Sequence, residues 1–441
     1  MVNFIRCPNV RRFIHGLFGF GRATVFVVLS GMSVRAAQPP VGPAGIFVIG
    51  DTRPVANEVA KFDFDFVSGY TLRVPWADIE SWNATTQAPQ YDFSRVDTTL
   101  KDLRARGKRM TLEIFITKVP DYVLGLPGVT TWTNPHPTQG GVQVVPWDTT
   151  ALLAYRAMIQ ALANHQVAGT TWRVADHPVL ESVDASIVGL QGLRELSNTL
   201  VKHPDYTRAR FIQSVVDAVA FNRRAFPQKF GFLALFAMTD ATAVPALHEA
   251  VYARLMAEFN VPGKPSLGFF QETLSDIGPR PDTLGELLAA AAPHTYLLFQ
   301  ALRPWALRAG EPRPVEIASA TPITGLEFAW ANYRSTYVEL YGADILNTEN
   351  AAGLRAWNSF FNEVAAARAG RDVPVLERSG PTGMTLRWNA NAALRYRLWT
   401  SSDLLSWTPY NTTEPLDGEV PVAFPQNGRR FYRIEILAPV R

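Results

Sequence analysis

Eight short apolar, β-rich runs constrain this chain more than any other feature. They fall at residues 45–50, 70–75, 109–116, 186–192, 230–236, 267–272, 296–301 and 323–330. A strand with one wet face alternates apolar and polar residues. Near-continuous apolar runs of this length suit strands covered on both faces, as in a parallel sheet. Amphipathic segments lie between most of them. Residues 94–107 place Val96, Leu100 and Leu103 on one helical face, with Ser94 able to cap the start and Gly107 able to end it in a left-handed turn. Further helices are predicted over 150–165, 206–226, 244–259, 282–292 and 351–369. Pro312 and Pro314 interrupt the connection before the eighth run. The pattern predicts an α/β fold, a (β/α)8 TIM barrel over residues 44–370. An open doubly wound sheet is the alternative. It is disfavoured because Gly50-Asp51-Thr52-Arg53-Pro54 after the first run lacks the glycine spacing of a phosphate loop.

The texture changes after Gly370. The stretches MTLRWNA, LRYRLWTSS, VPVAF and RRFYRIEIL alternate with a period of two between turn signals. They predict a small all-β, sandwich-like accessory module at 372–441. Ahead of the barrel, residues 1–37 have the layout of an export signal. Arg6, Arg11 and Arg12 precede an apolar core at 23–34, and Val34-Arg35-Ala36-Ala37 supplies small residues for cleavage. A secreted or periplasmic protein is the expectation.

Composition narrows the function classes. The 42 Lys and Arg against 39 Asp and Glu leave a net charge of +3 with no dense basic block, so a nucleic-acid partner is not expected. Outside the export signal no apolar run approaches the ~20 residues of a membrane helix. The one cysteine, Cys7, lies in the segment to be removed, which leaves no thiolate chemistry in the mature chain. No H-x-H or H-E-x-x-H pattern occurs, so neither a metal nor a cofactor is expected.

In a TIM barrel, function gathers at the C-terminal ends of the strands. The runs therefore nominate Asp51, Arg73, Trp76, Glu113, Gln191, Glu195, Glu272, Gln300 and Trp330. Carboxylates and arginines at one mouth suit acid–base chemistry, because an apolar barrel core has no use for them and burying an unpaired charge is costly. Arg73 and Glu113, on neighbouring strands, form the obvious ion pair. Flat indole faces at strand ends suit the apolar C–H faces of sugar rings, which singles out Trp76 and Trp330. Glu272 follows the apolar residues LGFFQ and should enter the mouth. Burial there would favour its neutral form and a general-acid role, whereas a salt bridge with Arg73, Arg303 or Arg334 would hold it ionised.

The segment from Gly69 to Phe115, GYTLRVPWADIESWNATTQAPQYDFSRVDTTLKDLRARGKRMTLEIF, resembles the second-to-third-strand region of (β/α)8 glycoside hydrolases of the beta-galactosidase-like and cellulase-like kinds. The tail, through Tyr396-Arg397-Leu398 and Arg430-Phe431-Tyr432-Arg433, looks like C-terminal modules of secreted proteins from environmental bacteria. The resemblance implies a carbohydrate substrate, an oligo- or polysaccharide, cleaved by paired carboxylates. Those hydrolases usually carry an Asn-Glu pair after strand 4 and a Glu after strand 7. Here Gln191 and Gln300 stand at the corresponding run ends, so that pair cannot be carried over; Glu272 is the best-placed carboxylate, paired with Glu195, or else with Asp51 or Glu113. Asp51, Arg73, Trp76, Glu113, Gln191, Gln300 and Trp330 are then substrate-binding. The two glutamines also fit a non-catalytic glycan-binding protein on a degenerate barrel.

Overall fold

The structure is a computed structural model. It describes residues 23–27, 41–49, 59–135, 140–185, 199–242, 244–261, 264–279, 283–307, 309–369, 375–378, 383–388, 390–391, 394–402, 406–410, 418–423 and 428–439. The chain divides into two compact units, residues 36–371 with 438–441, and residues 1–35 with 372–437.

The larger unit is a closed barrel of eight parallel strands: β1 Gly45–Ile49, β2 Gly69–Pro75, β3 Arg109–Phe115, β4 Leu180–Asp184, β5 Phe230–Ala234, β6 Leu267–Leu274, β7 Leu297–Ala301 and β8 Tyr337–Leu340. The strands follow chain order around the barrel, and β8 pairs with β1 to close it. The helices Ser94–Ala105, Thr149–Asn164, Arg208–Ala225, Leu247–Phe259, Thr283–Ala291, Ile323–Tyr333 and Ala351–Arg368 follow β2 to β8 in turn, and a short 3-10 turn, Val59–Phe62, stands between β1 and β2. Their starts are specified locally. The Asp148 side chain accepts from the Ala151 amide at 2.8 Å, and Thr207 accepts from the Arg210 amide at 3.2 Å.

Inside the barrel, side chains of period two stack in layers. Phe47, Phe232, Phe270, Leu298 and Tyr337 form one apolar cluster that fills the lower and middle barrel. Phe47 and Tyr337 meet with ring centroids 4.5 Å apart. Two residues further along the strands, the inward positions change character. Glu272 follows Phe270, Gln300 follows Leu298 and Glu339 follows Tyr337. Arg73 and Glu113 likewise follow Thr71 and Thr111, and the two pairs are in register across β2 and β3.

Two of the expected strands are corrected. The fourth is Leu180–Asp184, not 186–192, and residues 186–198 lie outside the described residues. The eighth is Tyr337–Leu340; the run at 323–330 is the first part of the helix Ile323–Tyr333. That helix buries Gly325, Leu326, Ala329 and Tyr333, a helical spacing, and ends at Arg334 in a left-handed conformation with φ 52°.

The smaller unit is all-β. One sheet holds β9 Val375–Arg378, β10 Gly383–Arg387 and β13 Glu419–Ala423; the other holds β11 Arg395–Ser401, β12 Thr408–Pro409 and β14 Gly428–Leu437. Alternate residues are buried, among them Tyr396 with Leu398 and Val420 with Val422. Ala23–Val27, from the apolar core of the expected export signal, pairs in parallel with Gly428–Tyr432 along the outer edge of β14.

Candidate active site

The strand ends converge on one buried arginine. Arg73 Nε donates to Glu113 Oε2 at 2.8 Å, and one of its terminal nitrogens donates to the Gln300 side-chain oxygen. The same nitrogen lies 3.7 Å from Glu339 Oε2. Glu272 also acts electrostatically on this guanidinium. One cation thus faces three carboxyl groups, delivered by β3, β6 and β8. Burial works against the charge of Arg73, but Glu113, Glu339 and Glu272 outweigh it and hold the guanidinium firmly protonated.

The group is layered. Glu113 and Glu339 are fully buried, whereas Arg73, Glu272 and Gln300 keep 8%, 5% and 3% of their surface. The outer three are therefore the members a ligand entering the mouth would meet. Beneath them lies a floor of hydroxyls. Thr71 and Tyr337 donate to Glu339 Oε1 at 2.6 and 2.7 Å. Thr111 lies 2.8 Å from the Tyr337 hydroxyl and 2.7 Å from Ser182 Oγ.

Burial pushes the Glu339 carboxyl up, the negative charge of Glu113 pushes it further, and Arg73 with the two hydroxyl donors pulls it back. It titrates at about 8. Glu113, in direct contact with Arg73, carries the negative charge of that pair. A carboxyl whose folded pKa exceeds its unfolded value binds more protons when folded, so stability falls as pH rises from the ordinary carboxylate range through about 8. Glu339→Gln, which keeps an acceptor for Thr71 and Tyr337, should remove this dependence. Melting temperatures of parent and variant should diverge in the variant's favour between pH 5 and pH 9; parallel curves would mean Glu339 holds no such proton.

The other nominated residues are distributed unevenly. Asp51, Gln191 and Glu195 lie outside the described residues. Arg73, Glu113, Glu272 and Gln300 meet as described. Trp76 is 1% exposed, its indole donates to Glu80, and its ring packs edge-on against Tyr155 at 5.6 Å, so it supports the wall behind the mouth. Trp330 is not at the end of a strand. It lies in the last turn of Ile323–Tyr333, the helix that leads into the start of β8, with Arg334 and Arg368 over its ring at 5.2 and 5.6 Å. It therefore belongs to the opposite end of the barrel from Arg73.

Two residues escaped the sequence reading. Glu339 stands in Tyr337–Leu340, whose β-branched and aromatic neighbours in STYVEL are the signal that would have found it. Asp184, fully buried, stands at the end of β4, where Gln191 was expected. Among the described residues no group of three or more His, Cys, Asp or Glu is arranged to hold a metal ion.

No protein-family model matches the chain, and no curated protein matches it. Solved structures do resemble its barrel. An endo-1,4-beta-mannanase from Rhizomucor miehei aligns over 77% of this chain and 99% of its own, at 8% identity and a TM-score of 0.48. The catalytic domain of a beta-amylase from Paenibacillus polymyxa covers 72% and 98%, at 12% identity and 0.47. A psychrophilic family 10 endo-beta-1,4-xylanase covers 68% and 86%, at 13% identity and 0.41. At such identities the likeness concerns the fold alone, and the chemistry has to be argued from the residues.

Proposed function

We propose that this chain is a secreted carbohydrate-active enzyme that hydrolyses glycosidic bonds at the mouth of the barrel. The reading rests on one observation: a single arginine, Arg73, is shared by three carboxyl groups, one paired directly with it and one titrating near 8. Glycoside hydrolysis requires a protonated and an ionised carboxyl in the same site, one protonating the leaving oxygen and the other serving the anomeric carbon or its attacking water. A mouth with more carboxyls than cations lets neutral and ionised carboxyls coexist there at neutral pH.

In this proposal Glu272 is the ionised carboxylate, because it is the most exposed of the three and the Arg73 cation acts on it. Its proton-donating partner is Asp184, which ends β4, or Glu195, which comes later in the sequence and lies outside the described residues. Arg73 fixes charge and position from below, with Glu113 and Glu339 holding the guanidinium in place. Incubation with a panel of polysaccharides and aryl glycosides tests the reading by sugar release.

Gln300 favours a second reading, a glycan-binding protein without turnover. Its side chain is committed to Arg73 at a strand end where a carboxylate would otherwise serve chemistry. Retention in polysaccharide gels without any sugar release would establish that alternative. Export is proposed on the n-region, apolar core and small residues of the first 37 positions. N-terminal sequencing of protein recovered from the producing cell should begin near Ala37 or Gln38; a chain still starting at Met1 would refute cleavage.

A further inference from the structure

A cleft opens beside the arginine cluster, above the ends of β7 and β8. Among the described residues it is lined by Lys61, Pro304, Ala306, Ala309, Gly310, Glu311, and the run from Tyr341 to Ala343 with Leu346. Its volume is about 870 Å³, at the upper end of the roughly 300–1,000 Å³ of a typical small-molecule pocket. The cleft and the cluster are continuous along the chain. Tyr341 is two residues beyond Glu339, at the end of β8, and is among the groups whose charge reaches Arg73. Pro304 stands four residues beyond Gln300 in the loop after β7.

The lining has a definite chemistry. Ala306, Ala309, Gly310, Gly342 and Ala343 have little or no side chain and leave a low floor. Gly342 lets the end of the Lys61 side chain lie against the backbone, since a Cβ there would come within 2.7 Å of Lys61 Nζ. Tyr341 offers one aromatic face with a hydroxyl. Among the described residues of the lining, Lys61 and Glu311 are the charged groups, one of each sign. That balance does not suit a polyanion such as nucleic acid, which needs a positive surface. It is too polar for an acyl chain. A long neutral ligand with apolar faces and many hydroxyls fits it.

We infer that this cleft binds the continuing chain of an uncharged polysaccharide, so that the site takes polymers in preference to short glycosides. The inference rests on the proposed carbohydrate function and adds the substrate class and the residues that select it. Ala309, exposed on the cleft floor, is the place to obstruct it; Tyr341 is the place to remove its aromatic contact.

Two measurements keep the inference separate from the function it rests on. Retention of the full chain in gels containing neutral polysaccharides reads binding without chemistry. The ratio of polymer to aryl-glycoside turnover reads selectivity. Ala309→Trp should abolish retention and lower the ratio by about tenfold or more, and Tyr341→Ala should weaken both in the same direction. Parent-like melting of both variants excludes a folding defect, and Ala309→Trp is the safer of the two because its side chain enters open space. If both variants keep the parent's retention and ratio while sugar release persists, the cleft is not a chain-binding site and the hydrolase reading stands. If the parent itself neither retains nor cleaves any polysaccharide, both fail. A parent that binds polymer without cleaving it, and loses the binding on Ala309→Trp, upholds the cleft and overturns the hydrolase.

Discussion

Replacing Arg73 with methionine should destabilise the barrel by about 3–5 kcal/mol, the scale on which one partner of a buried ion pair is lost. The guanidinium sits under the mouth with Glu113 at 2.8 Å and Glu339 at 3.7 Å, both carboxyls fully buried. Without it they lose the guanidinium that lies against both. Arg73 pulls the Glu339 carboxyl down, so its loss raises that folded pKa further, and a raised carboxyl pKa means stability that is lost as pH rises. The deficit of the variant should therefore be larger at pH 9 than at pH 5. Adding Glu113→Gln to Arg73→Met removes one stranded charge and should recover part of the loss. Urea unfolding at the two pH values measures all of this, and a single variant as stable as the parent at pH 9 would show that Arg73 does not hold the cluster together.

Glu272→Gln is expected to behave in the opposite way. The side chain keeps some exposure at the mouth and shares Arg73 with two other carboxylates, so its neutralisation leaves the arginine paired. Melting should change little. Turnover on a substrate found in the panel should fall by at least ~100-fold, the usual scale for removing a general acid or base. A variant with parent-like turnover would take Glu272 out of the reaction. One that loses several kcal/mol of stability would make it a structural partner of Arg73 instead.

The two strands that the sequence conceals have polar inward positions. Six of the eight runs are apolar enough to stand out, and six strands lie there. β4 reads LESVD and β8 reads YVEL. Their inward positions hold Ser182, Asp184 and Glu339, and polar residues at inward positions break the apolar run by which a parallel strand is recognised. Ile323–Tyr333, by contrast, is apolar on most of its surface because it is packed against the barrel, so a window of eight residues reads as a strand. The pairing of Arg73 with Glu113 was legible because both lie on strands that were placed correctly, and register then brings them side by side. Gln300 was legible for the same reason. Glu339 was not, since its strand had been assigned elsewhere. The Trp330 error has the same root: one misassigned run carried it to the wrong end of the barrel.

The strand Ala23–Val27 would give the proposed export a second effect. In the full-length precursor it runs along Gly428–Tyr432 and completes that side of β14. If the first 37 residues are removed, the same edge is left with a row of unpaired amides and carbonyls, the kind of border to which another extended segment can add itself. Precursor and mature protein would then differ in adhesiveness as well as length. On the proposed export, the leading segment would keep that border of the accessory sheet covered until cleavage.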